Sequence, residues 1–298
     1  MHYTGQVYRH PIEADTPLLE VTIGCSHNKC SFCTMYRETP FGLAPKDHVD
    51  EDLEELKSYG VPIKRIFLVN GEAFVLSTSR LIEIGEKINS YFPEIEAITS
   101  YASIANIRNK SLEDLKKLRA LNFNQLHIGL ESGYDPALKL MNKDFNRADA
   151  EENLAKLIEA GFEWDAIVMV GITGEGKDEH GEDEGFRHVR ETAELINKYP
   201  PYLVSLMTTS VSTGSELEEM RNRGEFLEET ERKKLEEEKM LLNLLNVPEA
   251  YFFGSHNYNL IPVSGKLKYK EAIVEYLDNK MKEMDDALLD SVVRRANI

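Results

Sequence analysis

The sequence predicts an α/β fold: a parallel sheet built from strand–helix units, curling into a partial or complete barrel, with a helical extension behind it. Two observations carry this. Six short β-branched or apolar runs alternate with longer stretches whose apolar residues recur at three- and four-residue spacing, about thirty residues per unit. Past residue 212 the alternation stops and helical periodicity takes over.

The predicted strands are LLEVTI (18–23), RIFLVN (65–70), EAITSY (96–101), NQLHIGL (124–130), DAIVMVG (165–171) and LVSLMTT (203–209). Between them DHVDEDLEELKSYG, STSRLIEIGEKINSYF, SLEDLKKLRALN, NRADAEENLAKLIEAG and GFRHVRETAELINKY read as amphipathic helices. Strand–helix alternation of this length means parallel strands joined by right-handed crossovers, with chemistry at the strands' carboxyl ends. Residues 1–212 thus form a core barrel with a short lead-in, and 213–298 the extension. In the extension, 212–247 and 268–290 read as helices around PEAYFFGSHNYNLIPVSGKL, a loop rich in aromatics, amides and turn formers.

The 298 residues carry 52 acidic and 35 basic side chains, a formal charge of −17, which repels phosphate backbones. The longest basic run, RKK at 232–234, lies inside EETERKKLEEEK, a solvated helix face with salt-bridge spacing. Nucleic acid is therefore not expected as a partner. The longest apolar run, AIVMVGI, is too short to span a membrane, and the first residues lack a signal-peptide pattern. The chain reads as a soluble cytoplasmic protein.

All three cysteines, Cys25, Cys30 and Cys33, fall within nine positions of VTIGCSHNKCSFCTMY, directly after the first predicted strand. An odd count at this spacing without a secretory leader argues against disulfides. Structural zinc takes four ligands, so it would need His27 or a distant histidine. A four-iron cluster on three thiolates leaves one iron open to an exogenous ligand. At the other strand ends stand Gly71 and Glu72 in NGEA, Glu131 and Ser132 in GLESG, and the small residues of GITGEG. Each alone reads equally well as a turn or a helix cap; together they face the mouth where the cysteine loop lies.

These residues resemble the radical S-adenosylmethionine (SAM) superfamily, in the branch that includes oxygen-independent coproporphyrinogen oxidases and elongator-type enzymes. The likeness is nearest to uncharacterised members carrying a GCSHN.C.FC.MY loop, and GSHNYNLIPVSGKL resembles them too. The cysteine spacing is C-x4-C-x2-C, one residue longer than the usual C-x3-C-x2-C. The resemblance implies a partial (β/α)6 barrel and a 4Fe-4S cluster on Cys25, Cys30 and Cys33. It implies Phe32 near the adenine and Gly71–Glu72 as the latter part of a Gly-Gly-Glu turn for the methionine amino group, with Asn70 in place of the first glycine. Glu131 and Ser132 would meet the ribose or methionyl end, and Arg147 the methionine carboxylate. Competing readings are a core-filling Phe32 and a surface Arg147.

The implied activity is one-electron cleavage of S-adenosylmethionine to a 5′-deoxyadenosyl radical that abstracts hydrogen from a substrate. A low-potential donor such as flavodoxin or ferredoxin would supply the electron. Twenty-four residues ahead of Cys25 leave no room for a cobalamin domain, and no cysteine remains for a second cluster. Porphyrin carboxylates would need convergent arginines, which the sequence offers thinly. The expected substrate is a small, uncharged or cationic molecule, contacted by Tyr251, His256 and Asn257 of a segment covering the barrel opening. The alternative is a non-enzymatic electron-transfer or zinc protein using the same thiols.

Overall fold

A computed structural model describes residues 1–295. In chain order the elements are β1 (Leu18–Leu19), β2 (Thr22–Ile23), β3 (Gly42–Leu43), α1 (Lys46–Ser58), β4 (Arg65–Leu68), α2 (Thr78–Tyr91), β5 (Ala97–Ala102), α3 (Ile104–Arg108), α4 (Leu112–Ala120) and β6 (Phe123–Glu131). There follow α5 (Asp135–Leu140), α6 (Arg147–Glu159), β7 (Glu163–Val170), α7 (Glu184–Lys198), β8 (Leu203–Thr208), α8 (Glu216–Asn222), α9 (Glu231–Leu244), β9 (Tyr251–Gly254), β10 (Val263–Lys266), α10 (Lys270–Glu283) and α11 (Asp286–Leu289). No helix among the described residues is long and apolar enough to cross a membrane. The chain divides into two compact units: Met1–Asn28, Tyr36–Gly129 and Glu152–Trp164 form the first, and Lys29–Met35, Leu130–Glu151 and Asp165–Ile298 the second.

In the first unit β1, β4, β5 and β6 are parallel neighbours in that order. Ile66, Phe67, Leu68, Ile98, Phe123, Leu126 and Ile128 are fully buried along these strands. α2 opens on the Ser77 side chain, which accepts from Arg80 N–H, and buries Leu81, Ile84 and Ile88 at helical spacing. α3 and α4 each start with a capping box, Ser103–Asn106 and Ser111–Asp114.

The first predicted strand is two strands. β1 follows β4 only at Leu18 and Leu19, while β2 pairs antiparallel with β3. Between them Glu20 is buried, and the Asn70 side-chain amide donates to both Glu20 Oε2 (3.0 Å) and Thr22 O (2.9 Å), which takes the chain off the β4 ladder. Ahead of β1 the lead-in sends in Glu13, 0% exposed, which accepts from Arg65, Thr99 and His127 on β4, β5 and β6. Burial opposes its charge, yet the bonds from Arg65, His127 and Thr16 hold its carboxyl far below the usual range. The chain's one tryptophan, Trp164, is 1% exposed, and its indole N–H has no hydrogen-bond partner.

In the second unit β7, β8 and β9 are parallel, and β10 returns antiparallel to β9. The extension is thus helical with two added strands. Tyr251–Gly254, read as loop, extends the parallel set with Leu203 level with Tyr251. Phe252 is fully buried, a packing residue. Behind β9, buried Asn259 accepts from Thr208 N–H and donates to Leu206 O and Gly254 O, so one amide ties β9 to β8. Glu229, Glu237 and Glu238, just before and within α9, are each at most 1% exposed. Gly171 N–H donates to Glu237 Oε2 (2.7 Å), and Glu238 Oε1 has no partner. Burial raises all three carboxyls, Glu238 to about 8, and the proximity of Glu229 to Glu237 adds to the rise at Glu229.

Candidate active site

Cys25 and the turn after β4 lie in the first unit. No disulfide joins the three cysteines, and each is partly exposed. Between Cys25 and Cys30, Asn28 has a φ of +44°, in the left-handed region that asparagine tolerates. Asn28 N–H donates to Cys25 Sγ (3.4 Å) and its side chain to Tyr36 O (2.8 Å), so both ends of the loop are fastened. Gly71 lies under Cys25: its N–H donates to Gly24 O, and a Cβ there would stand 2.6 Å from Cys25 Cβ. Asn70, standing where the resembled turn has glycine, has a φ of +75°, a left-handed backbone that asparagine tolerates.

Glu72 is partly exposed. Its Oε2 accepts from Ser26 Oγ (2.8 Å) and Asn106 Nδ2 (3.1 Å), and Cys25 Sγ lies 3.7 Å from Oε1. The same region is braced by Lys110, 3% exposed, whose ammonium donates to Phe74 O and Asn106 O and is brought by burial to about 8.

Cys30, Cys33 and the end of β6 lie in the second unit. Ser31 pins this part of the loop: its N–H donates to Met141 O, its hydroxyl to Leu140 O, and its carbonyl accepts from Leu217 N–H. Cys33 N–H turns back on Cys30 O (3.2 Å). Burial raises the Cys33 thiol and Cys30 adds to it, whereas Lys143 opposes the rise. Phe32 packs against the buried cluster of Tyr134, Ala137, Met141, Met169, Ile172, Leu217 and Phe226, the core-filling placement. Glu131, 6% exposed, closes β6 at a φ of +59° and pairs with Lys143 (3.2 Å), itself nearly buried.

Three sequence-predicted residues have partners or placements within the protein itself. Arg147 is clamped by the carboxylates of Glu151, Glu191 and Glu194 on α6 and α7 at 3.2–3.3 Å. Lys143, four residues earlier, is the cation beside Glu131. Ser132 is 0% exposed, accepts from Tyr134 N–H and is bonded to His188, so its hydroxyl serves the protein interior. Tyr251 stands at the amino end of β9, opposite the carboxyl ends of its parallel neighbours. His256 and Asn257 do follow the carboxyl end of β9. His256 Nδ1 accepts from Tyr258 N–H (3.1 Å), and burial lowers its basicity; Asn257 is exposed. Ser26, Asn106 and Lys143, which the sequence did not single out, stand against Glu72 and Glu131. Asn106 had a visible signal, a polar residue just past a strand's carboxyl end.

A search of curated proteins finds no match. Among solved structures, methylornithine synthase aligns at a TM-score of 0.56 and 16% identity over 80% of this chain and 63% of that one. An amino-terminally deleted Elp3 from the archaeon Methanocaldococcus infernus aligns at 0.55 and 16% over 89% and 64%. The FeFe-hydrogenase maturase HydG from Carboxydothermus hydrogenoformans aligns at 0.53 and 18% over 88% and 56%. The chain spans less than two thirds of the length of each of these structures. At such identity the likeness shows a shared fold, the radical SAM partial barrel. A profile of the Radical SAM superfamily matches residues 19–183, more than half of the 298, and the chain belongs to that superfamily.

Proposed function

We propose that this radical SAM enzyme holds a 4Fe-4S cluster on Cys25, Cys30 and Cys33, binds S-adenosylmethionine beside it, and acts on a small, uncharged or cationic molecule. The observation that carries the reading is the donor set: three partly exposed thiols on one loop, none in a disulfide, with carboxylates at the ends of β4 and β6. When bound, the cluster and S-adenosylmethionine supply one-electron carbon–sulfur cleavage and a carbon radical that takes hydrogen from a C–H bond. The chain's own residues bind and orient. Asn70 and Gly71 shape the turn that would receive the methionine amino group, with Glu72 held in place by Ser26 and Asn106. Glu131 would take the ribose hydroxyls, and Lys143, rather than Arg147, the methionine carboxylate. Phe32 would offer one ring face to the adenine while packed on its apolar cluster. His256 and Asn257 would meet the substrate and limit water at the opening.

The substrate class rests on charge. The formal charge is −17, and Arg147, Arg187, Arg221, Arg223 and Arg232 are each paired with carboxylates, which disfavours a polyanion. The fold is shared with a methylornithine synthase and with a methyltransferase solved with its tryptophan substrate, both names of small molecules. The electron would come from a flavodoxin or ferredoxin. The test is anaerobic reconstitution with iron and sulfide, then S-adenosylmethionine and dithionite. Release of 5′-deoxyadenosine, lost in Cys25→Ala, Cys30→Ala and Cys33→Ala, is expected; stoichiometric zinc without iron, or no release, would overturn the reading.

A further inference from the structure

At the end of β6 the chain makes a three-residue turn: Ser132 N–H donates to Leu130 O (2.7 Å) across Glu131, whose φ is +59°. This γ-turn conformation is strained for a residue with a Cβ, and it persists only where the surroundings hold it. His188, on α7 and 1% exposed, reaches Met169 O with Nε2 (2.8 Å) and Ser132 Oγ with Nδ1 (2.7 Å). A carbonyl only accepts, so Nε2 carries the proton and Nδ1 presents a lone pair. The Ser132 hydroxyl must then donate to Nδ1, leaving its own oxygen to accept from Tyr134 N–H (2.9 Å). Beside this relay, Gly133 N–H donates to Thr192 Oγ1 (2.8 Å), which donates to His188 O (2.8 Å). Gly133 permits the approach, since a Cβ there would meet Glu191 O at 2.7 Å. Burial keeps the imidazole neutral, down at about 4, so one tautomer serves across the ordinary pH range.

We infer that His188 is a positioning residue for cofactor binding: through the Ser132 hydroxyl it locks the turn that aims Glu131. The inference rests on the proposed role of Glu131 toward the ribose. His188 touches no ligand itself. Its contribution is a directed chain of hydrogen bonds from Tyr134 N–H through Ser132 and the ring to Met169 O, which fixes Glu131 without spending the carboxylate. An apolar ring of similar size would fill the space and lose the direction.

The test uses the reconstituted enzyme and three readouts: iron content, S-adenosylmethionine affinity by equilibrium binding, and the histidine tautomer by ¹⁵N NMR of the cofactor-free chain. For His188→Phe and Ser132→Ala we expect unchanged iron and an affinity loss of about 10-fold, the scale of lost outer-shell support. The double variant should lose no more than either single, because both break one chain. His188→Gln, whose amide offers one N–H and one carbonyl, should recover most of the affinity. In the unmutated protein the NMR should show Nε2 protonated, with Nδ1 shifted in Ser132→Ala. Glu131→Gln separates the two levels of the argument. If it leaves affinity intact, the proposed role of Glu131 falls. If it weakens binding while Ser132→Ala and His188→Phe do not, or if their losses add, the positioning role falls. Should His188→Phe fail to fold, Ser132→Ala and His188→Gln decide the matter.

Discussion

Replacing Glu238 by glutamine should stabilise the protein at neutral pH and hardly at all in mild acid. The side chain is 1% exposed on α9, one carboxylate oxygen has no partner, and burial raises its pKa from 4.5 to about 8. The folded chain therefore keeps a proton that the unfolded chain gives up above pH 4.5. Stability from this group is complete below that pH, falls as pH rises toward 8, and is constant beyond. Each pH unit in the window costs about 1.4 kcal/mol, so about 4 kcal/mol is lost by pH 7.5. Glutamine keeps the shape without the titration. At roughly 2 °C per kcal/mol for a chain of this size, Glu238→Gln should raise Tm by roughly 8 °C at pH 7.5 and by about 1 °C at pH 5. Thermal melts followed by circular dichroism at the two pH values, in one buffer series, measure this. An equal shift at both pH values, or a loss at pH 7.5, would refute the claim that Glu238 is protonated in the folded protein.

Lys143→Met should weaken S-adenosylmethionine binding by at least about 10-fold with iron content intact, as expected for loss of a charge-assisted hydrogen bond. Arg147→Met should leave that affinity within about twofold and lower stability by about 1 kcal/mol, since its three carboxylates are partly solvated; equilibrium binding and urea melts on the pair reverse the assignment if the effects are exchanged. Binding to generic RNA, followed by fluorescence anisotropy, should be weak at low salt and absent near physiological ionic strength; a salt-resistant, sub-micromolar complex would disprove the charge argument.

The strands that the sequence shows well are those whose apolar runs stay on one ladder. Ala97–Ala102, Phe123–Glu131, Glu163–Val170 and Leu203–Thr208 lie within two residues of expectation, each carried by its own apolar run. LLEVTI failed because a distant amide, Asn70, takes hold of Glu20 and Thr22 in its middle, and no local pattern encodes that. β9 was hidden for another reason: four residues among turn formers carry no period, and the strand is made by β8 beside it. The cysteine loop and Glu72 stand out in the sequence because their residue types are rare together. The partners of Ser132 and Arg147, namely His188, Glu191 and Glu194, lie 44–56 residues away and leave no trace in the local pattern. An oxygen's partner decides whether it is offered to a ligand or already spent, and spacing along the chain does not record partners.

The sealed indole of Trp164 gives the protein its own optical probe. With no second tryptophan, all long-wavelength ultraviolet-excited emission comes from one point at the start of β7. A ring in a dry environment, with its N–H bonded to nothing, emits toward the blue, and entry of water moves the band to the red. That colour change would time the opening of this strand alone, apart from the average reported by backbone signals. A visible-absorbing chromophore taken up by the chain would dim the same band by energy transfer, so loading could be followed in real time without a label.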